Sequence, residues 1–278
     1  MAKLDTRRAL ASTRRVRLGR VWQVLALSAA LSTGTAASAA AAGSSPPTLG
    51  SPSASVLLSR AATALLDAPA TRLSGSITAG ADVVRLSLVA LDHLDETSGA
   101  VVVRRAGTPG SPGTLSFVTT TSALYVRANG AFWSKQLAGS ASGLLAGELR
   151  PLLSKLANRW IVVSRQAAQF LGARLAARSP ASVLSQMLKA VASAHPSKRR
   201  PTSRYGVPVL PIVVPKQGVI DIAMSGPPRP VALIAESTAA KGVLRFTYPP
   251  AAPVRVPAGA VNLDQLLAGI LAKLPVKR

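Results

Sequence analysis

Only two histidines, His93 and His195, occur in the 278 residues, and there is no cysteine. A nucleophile triad would need one of these imidazoles beside a serine, with a carboxylate to orient the ring. His93 stands in Asp92-His93-Leu94-Asp95-Glu96, a polar turn between two strand-like runs, and His195 precedes a proline in a basic loop. Both read as solvated loop residues and neither as a catalyst. Asp92, Asp95 and Glu96 offer oxygens to a hard cation but lack the spacing of a dedicated calcium loop, so they read as a solvated turn. No carboxylate pair sits in a setting that suggests glycoside hydrolysis. Gly107–Gly113 carries prolines and precedes no helix, which makes it a hairpin linker and not a phosphate cradle. Without cysteine, disulfides, thiolate catalysis, cysteine-bound zinc and a lipidated N-terminal cysteine all fall away. The expectation is a non-enzymatic protein with no catalytic residue, no metal and no cofactor.

Binding is the chemistry that remains. Phe132, Trp133, Trp160 and Tyr125 either line the entrance of an apolar site or belong to the core, and both readings stay open. Lys198, Arg199 and Arg200, with Arg204 close by, suit the phosphates of a lipid head group or an anionic membrane surface; a plain solvated loop is the alternative. The chain has 33 basic and 10 acidic residues, a net charge of +23. Such an excess favours anionic lipids, wall polymers or nucleic acid, or it is an Arg-rich solvated surface. Nucleic acid is set aside, because the basic residues are dispersed and the N-terminus directs the chain out of the cytoplasm.

That N-terminus is the firmest feature. Seven basic residues in the first twenty precede an uncharged stretch, Val21 to Ala42, that closes on Ala37-Ser38-Ala39. A basic region, a short apolar region and a small-residue exit are the layout of a secretory signal. Residues 1–39 are therefore expected to be a cleaved signal peptide, or else an uncleaved signal anchor. Thr13-Arg14-Arg15-Val16-Arg17-Leu18 is similar to a twin-arginine signal, though arginine pairs arise by chance in so basic a segment. Residues 40–52, rich in Ala, Gly, Ser and Pro, read as a flexible linker. Residues 53–278 read as a single domain.

Elements that would position a binding site follow from the apolar period. Ser53–Ala68 has helical spacing and ends at Asp67-Ala68-Pro69. The period then changes to two. Arg72–Ala79, Asp82–Ala90, Ala100–Arg105, Thr114–Thr120, Ala123–Ala128 and Ala131–Lys135 read as strands of an antiparallel meander, with Asn129-Gly130 as a hairpin turn. Leu144–Leu156 and Gln166–Leu175 read as short helices, and Asn158–Ser164 as a strand or extended link. Pro180–Ala194 presents Val183, Leu184, Met187, Leu188 and Val191 on one helix face, with Ser179 placed to cap it. After a basic loop at His195–Arg204, strands resume at Val207–Val214, Gly218–Met224, Pro230–Glu236, Gly242–Tyr248 and Val254–Val256. A short helix, Leu263–Leu271, closes the chain. Strands, central helices and strands again define an α+β fold.

Several of these stretches together resemble the LppX/LprG-type lipoproteins of mycobacteria and their actinobacterial relatives, whose fold is similar to that of LolA and LolB. They are Thr71-Arg72-Leu73-Ser74-Gly75-Ser76-Ile77, Leu124-Tyr125-Val126-Arg127 through Phe132-Trp133, Ala157-Asn158-Arg159-Trp160-Ile161-Val162-Val163, and Gly218-Val219-Ile220-Asp221-Ile222 through Gly226-Pro227-Pro228-Arg229-Pro230. Gly242-Val243-Leu244-Arg245-Phe246, Pro253-Val254-Arg255-Val256-Pro257 and Asn262-Leu263-Asp264-Gln265-Leu266 complete the order. No single motif is specific; order and spacing over about Ser53 to Leu267 carry the likeness. The resemblance implies a strongly bent antiparallel sheet, a half-barrel, with helices packed across its concave side and an apolar cavity between them for acyl chains. The lipobox cysteine often found in that family is missing here, which points to a carrier that is soluble or held by its signal.

Two functions follow. In the first, the chain is a monomeric extracytoplasmic carrier of lipid, glycolipid or lipoglycan acyl chains. Leu86, Leu88, Leu115, Phe117, Ile220, Ile222, Leu244 and Phe246 on the strands would enclose the chains, together with Leu184 and Leu188 on the helix. Burial of about 0.8 kcal/mol per methylene would supply the affinity. In the second, an envelope interaction protein uses the same fold with its core filled by its own side chains. A contiguous apolar void or a filled core separates the two, and a one-residue slip of register would turn the strand residues of the list outward.

Overall fold

Ser53 starts the first helix because its side-chain oxygen accepts from the Val56 N–H at 3.3 Å, meeting one of the donors that a helix N-terminus leaves free. The computed structural model describes residues 51–91, 96–105, 107, 110–134, 155–164, 180–263 and 265. Helix α1 spans Ala54–Leu66 and buries Leu58, Ala61, Ala62 and Leu65 along one stripe. Helix α2 spans Pro180–Ala192 and buries Leu184, Met187, Leu188 and Val191 at the same period. The two helices pack on each other and on one face of the sheet.

The sheet has thirteen strands. Before α2 come β1 (Thr71–Ala79), β2 (Asp82–Leu91), β3 (Glu96–Arg105), β4 (Gly113–Thr119), β5 (Ala123–Ala128) and β6 (Ile161–Ser164). After it come β7 (Ser197–Lys198), β8 (Thr202–Arg204), β9 (Val207–Val214), β10 (Gly218–Ala223), β11 (Pro230–Glu236), β12 (Ala240–Thr247) and β13 (Val261–Asn262). Their order is β13-β6-β5-β4-β3-β2-β1-β12-β11-β10-β9-β7, with β8 also pairing β9. Two antiparallel runs thus meet at one seam, where β1 pairs with β12. The result is an α+β fold with a large, curved, unclosed sheet, as the sequence led one to expect.

The seam is unusually close. A Cβ added to Gly75 (φ 152°) would lie 2.0 Å from the Val243 carbonyl oxygen, and one added to Gly242 (φ 150°) would lie 2.2 Å from that of Ser76. Glycine at both positions is therefore a condition of the two runs meeting at this separation, and glycine kinks of this kind let a sheet curve.

Five expectations change. The sheet is mixed, because β13 pairs β6 in parallel; β13 arrives from a long connection and not a hairpin, so no turn imposes the antiparallel sense. Asn129-Gly130 is not a hairpin turn and Ala131–Lys135 is not a strand: residues 130–134 are helical. The Asn129 Oδ1 accepts from Phe132 N at 2.9 Å, so the side chain caps a helix where it was expected to turn a hairpin. The basic loop contains β7 and β8, both of which pair with β9. Val254–Val256 forms no strand; it lies between Pro253 and Pro257, which cannot donate to a ladder, and its Val254 N–H goes to Glu96 Oε2 at 3.4 Å. Asn158 lies at φ 61° in a turn, so the following strand begins only at Ile161. The signal segment, residues 40–50 of the linker, nearly all of the helices read at Leu144–Leu156 and Leu263–Leu271, the one at Gln166–Leu175, and His93 lie outside the described residues.

Candidate functional site

The inner face of the sheet follows from the registers. Leu115, Val101, Leu86, Gly75, Leu244, Leu233, Ile220 and Ile212 stand opposite one another in turn, one line across eight strands. A neighbouring line holds Phe117, Gly99, Leu88, Leu73 and Phe246. Nine of the residues expected around an acyl chain (Leu86, Leu88, Leu115, Leu184, Leu188, Ile220, Ile222, Leu244 and Phe246) are buried in one cluster, and Phe117 is half-buried against it. The alternation therefore placed them on a common face. What they chiefly touch is one another and the two helices.

Space opens at one end of this face. The next line reads Ile77, Gly242, Ala235, Gly218 and Val214. Of this line, Ile77, Ala235, Gly218 and Val214 border a space beneath α2. The cavity left over is about 60 Å³ and is lined by Ile77, Val214, Ile220, Leu233, Met187 and Val191, with Gln217 and Ser237 among its polar members. A volume of this order holds a few waters, against roughly 300–1,000 Å³ for pockets that take drug-sized ligands. Of the ten apolar residues named from the sequence, Ile220 alone lines it. The others were missed because alternation gives the face of a strand, whereas the void depends on which small residues fall opposite each other after pairing.

The aromatic residues divide. Phe132 is buried in the main cluster, and Trp133 packs edge-on against it with ring centroids 5.7 Å apart. Trp160 sits under the Arg127 guanidinium at 5.4 Å, and Tyr125 is half-buried. At the far end, the Tyr248 hydroxyl donates to Pro230 O at 2.7 Å and burial pushes its pKa upward. Arg229 stacks on that ring at 5.0 Å and donates from Nε to Ala64 O at 3.3 Å, tying the β10–β11 turn to the end of α1.

The residues read as head-group contacts are placed differently from one another. The Lys198 ammonium donates to Ser51 Oγ at 3.0 Å and Pro52 O at 3.1 Å, just before α1. Arg199 and Arg200 are exposed, and the Arg199 backbone N–H pairs with Pro211 O. Arg204 turns to Asp221, with 3.4 Å between Nη1 and Oδ2. Asp221 is fully buried and neither of its oxygens has a hydrogen-bond partner; desolvation raises its pKa while Arg204 pulls the other way. His195 lies exposed at φ 54° with Nδ1 3.3 Å from Ser193 O. Among the described residues no three His, Asp or Glu side chains gather as a metal site, and no helix is long and apolar enough to cross a membrane.

No family model matches the chain, and no curated protein does. Among solved structures it is similar to LprF from Mycobacterium bovis, at 13% identity and a TM-score of 0.42 over 76% of this chain and 100% of that one. It is also similar to an uncharacterized conserved protein from Thermus thermophilus, at 11% identity and a TM-score of 0.36 over 76% of this chain and 98% of that one. At these identities and scores the likeness speaks to neither ligand nor activity.

Proposed function

We propose that the chain is an exported, non-enzymatic carrier that takes an acyl chain between the helices and the inner face of the sheet. The observation that carries this reading is the gap bordered by Ile77, Ala235 and Gly218, an apolar opening at the strand ends beneath Met187 and Val191. At about 60 Å³ it is smaller than an acyl chain, so loading requires α2 to lift from the sheet. Each methylene that then enters contributes about 0.8 kcal/mol, so about ten offset a helix displacement of several kcal/mol. The ligand class is a lipid, glycolipid or lipoglycan of the cell envelope, and Arg199 and Arg200 supply cations for its head group.

The closed core favours a second reading. The cluster from Leu73 to Phe246 leaves its named side chains in mutual contact, which suits an envelope interaction protein with no ligand. Native and denaturing mass spectrometry of protein from an actinobacterial host separates the two. A stoichiometric acyl species released on unfolding supports the carrier. Ala235→Leu, which fills the gap from the sheet side, is then expected to abolish it while the fold persists. Protein that carries nothing and takes up no added phospholipid or glycolipid leaves the filled-core reading.

A further inference from the structure

The outer face of the sheet, turned away from the helices, has its own pattern. The registers run Arg245, Ser74, Ser87, Ala100, Ser116, Arg127 as one line across six strands, a span of about 24 Å at the usual strand spacing. Arg72 lies diagonal to Arg245, and Arg104 diagonal to Arg85, separations of about 7–8 Å between backbones. All five arginines are exposed. Between them stand mainly serine, threonine, alanine and valine, small side chains beside long arginines.

Two of the five are held in place. Arg245 lies 3.6 Å from the centre of the Tyr205 ring, and Arg127 5.4 Å from that of Trp160. A guanidinium stacked on an aromatic face is already partly ordered, which lowers the entropy lost when it grips an anion. Acids are scarce on this side. In β1–β5 and β12 the outward positions hold one, Glu96, at the first residue of β3, where it accepts from Val254 N. Glu236 stands opposite Lys241, and Asp221 is buried against Arg204.

From this face we infer a second binding activity: the outer sheet surface docks a flexible, linear phosphodiester polymer outside the cytoplasm. Arginine, and not lysine, presents the planar fork that matches phosphate oxygens in pairs. Charge spacing selects the partner: five exposed arginines spread over a curved sheet suit a flexible polyanion that reaches them in turn. Serine hydroxyls along the line offer further donors to the same phosphates.

Fluorescence anisotropy of the full chain with labelled poly(glycerol phosphate) tests this, titrated between 50 and 300 mM NaCl. Five phosphate contacts predict a slope of log affinity against log salt of about −3 to −4, flattening by about 0.7 for each arginine removed. The variant Arg72→Gln/Arg85→Gln/Arg104→Gln/Arg245→Gln is expected to lose most of the slope and at least tenfold in affinity at 50 mM. The doubles Arg72→Gln/Arg245→Gln and Arg85→Gln/Arg104→Gln serve if the quadruple does not fold. A control removing four exposed cations elsewhere, Arg60, Lys189, Lys216 and Arg255, is expected to keep the slope. Equal losses in the control, absence of binding at 50 mM, or preference for vesicles with 30% phosphatidylglycerol at equal phosphate would each overturn the inference.

Discussion

Replacing Gly75 by alanine is a direct test of how the two halves of the sheet are joined. The residue sits at φ 152°, and an added Cβ would lie 2.0 Å from Val243 O, a backbone atom of the paired strand that no rotamer change can move aside. Holding a non-glycine residue in such a conformation costs about 1–3 kcal/mol. Reduced freedom of the unfolded chain returns about 0.4–1 kcal/mol. Parting the strands to relieve the contact adds the loss of at least one ladder hydrogen bond, about 1 kcal/mol. The sum is a destabilisation of about 1–3.5 kcal/mol, which lowers a urea midpoint by about 0.5–1.8 M for a slope near 2 kcal/mol/M. Gly80→Ala is the matched control. It also lies at positive φ, 58°, but nothing approaches its added Cβ within 4 Å, and about 1 kcal/mol is expected. Urea unfolding followed by circular dichroism reads both. Equal midpoints for the two variants would refute the argument, since the β1–β12 approach would then be free to relax.

Three further outcomes follow from named contacts. Because burial raises the Asp221 pKa, its folded value exceeds the unfolded one, so its favourable contribution is complete below the unfolded pKa of 3.8 and is lost as pH rises through the folded value. Asp221→Asn is therefore expected to be at least as stable as wild type at pH 7 and to flatten stability against pH above 4; a loss of more than about 2 kcal/mol would show the Arg204 pair to be net stabilising. Asn129→Ala removes three hydrogen bonds, to Phe132 N, Thr114 N and Pro112 O, and should cost about 2–3 kcal/mol by chemical denaturation. Arg229→Ala loses the stacking on Tyr248 and the bond to Ala64 O; about 1–2 kcal/mol and faster amide exchange at the end of α1 are expected.

The alternation of apolar residues was enough to assign faces. Leu86, Leu88, Ile220 and Leu244 point inward as their period of two required, because one polar slip would have buried Arg85 or Arg245. Helix α1 was legible from Ser53 onward for a similarly local reason, apolar residues at helical spacing. What stayed hidden was every feature fixed by pairing at a distance. Gly75 and Gly242 are far apart in sequence, and nothing local reports that they fall on paired strands, opposite Leu244 and Ile77. The gap beneath α2 is likewise a product of several strands, with Ile77 on β1, Ala235 on β11 and Gly218 on β10 all at its wall. Asn129-Gly130 misled because asparagine serves a turn and a helix cap with the same side chain, and packing of Phe132 into the core decided between them.

The sheet is open, and both of its ends are strands of two residues: Ser197–Lys198 at one and Val261–Asn262 at the other. An open sheet ordinarily exposes a row of unpaired backbone groups onto which another chain can add. Here the first end is a stub followed by Arg199, Arg200 and Pro201, two charges and a residue with no N–H to give. Arg199 and Arg200, with Pro201, thus keep copies of the protein from stacking edge to edge as the chain folds.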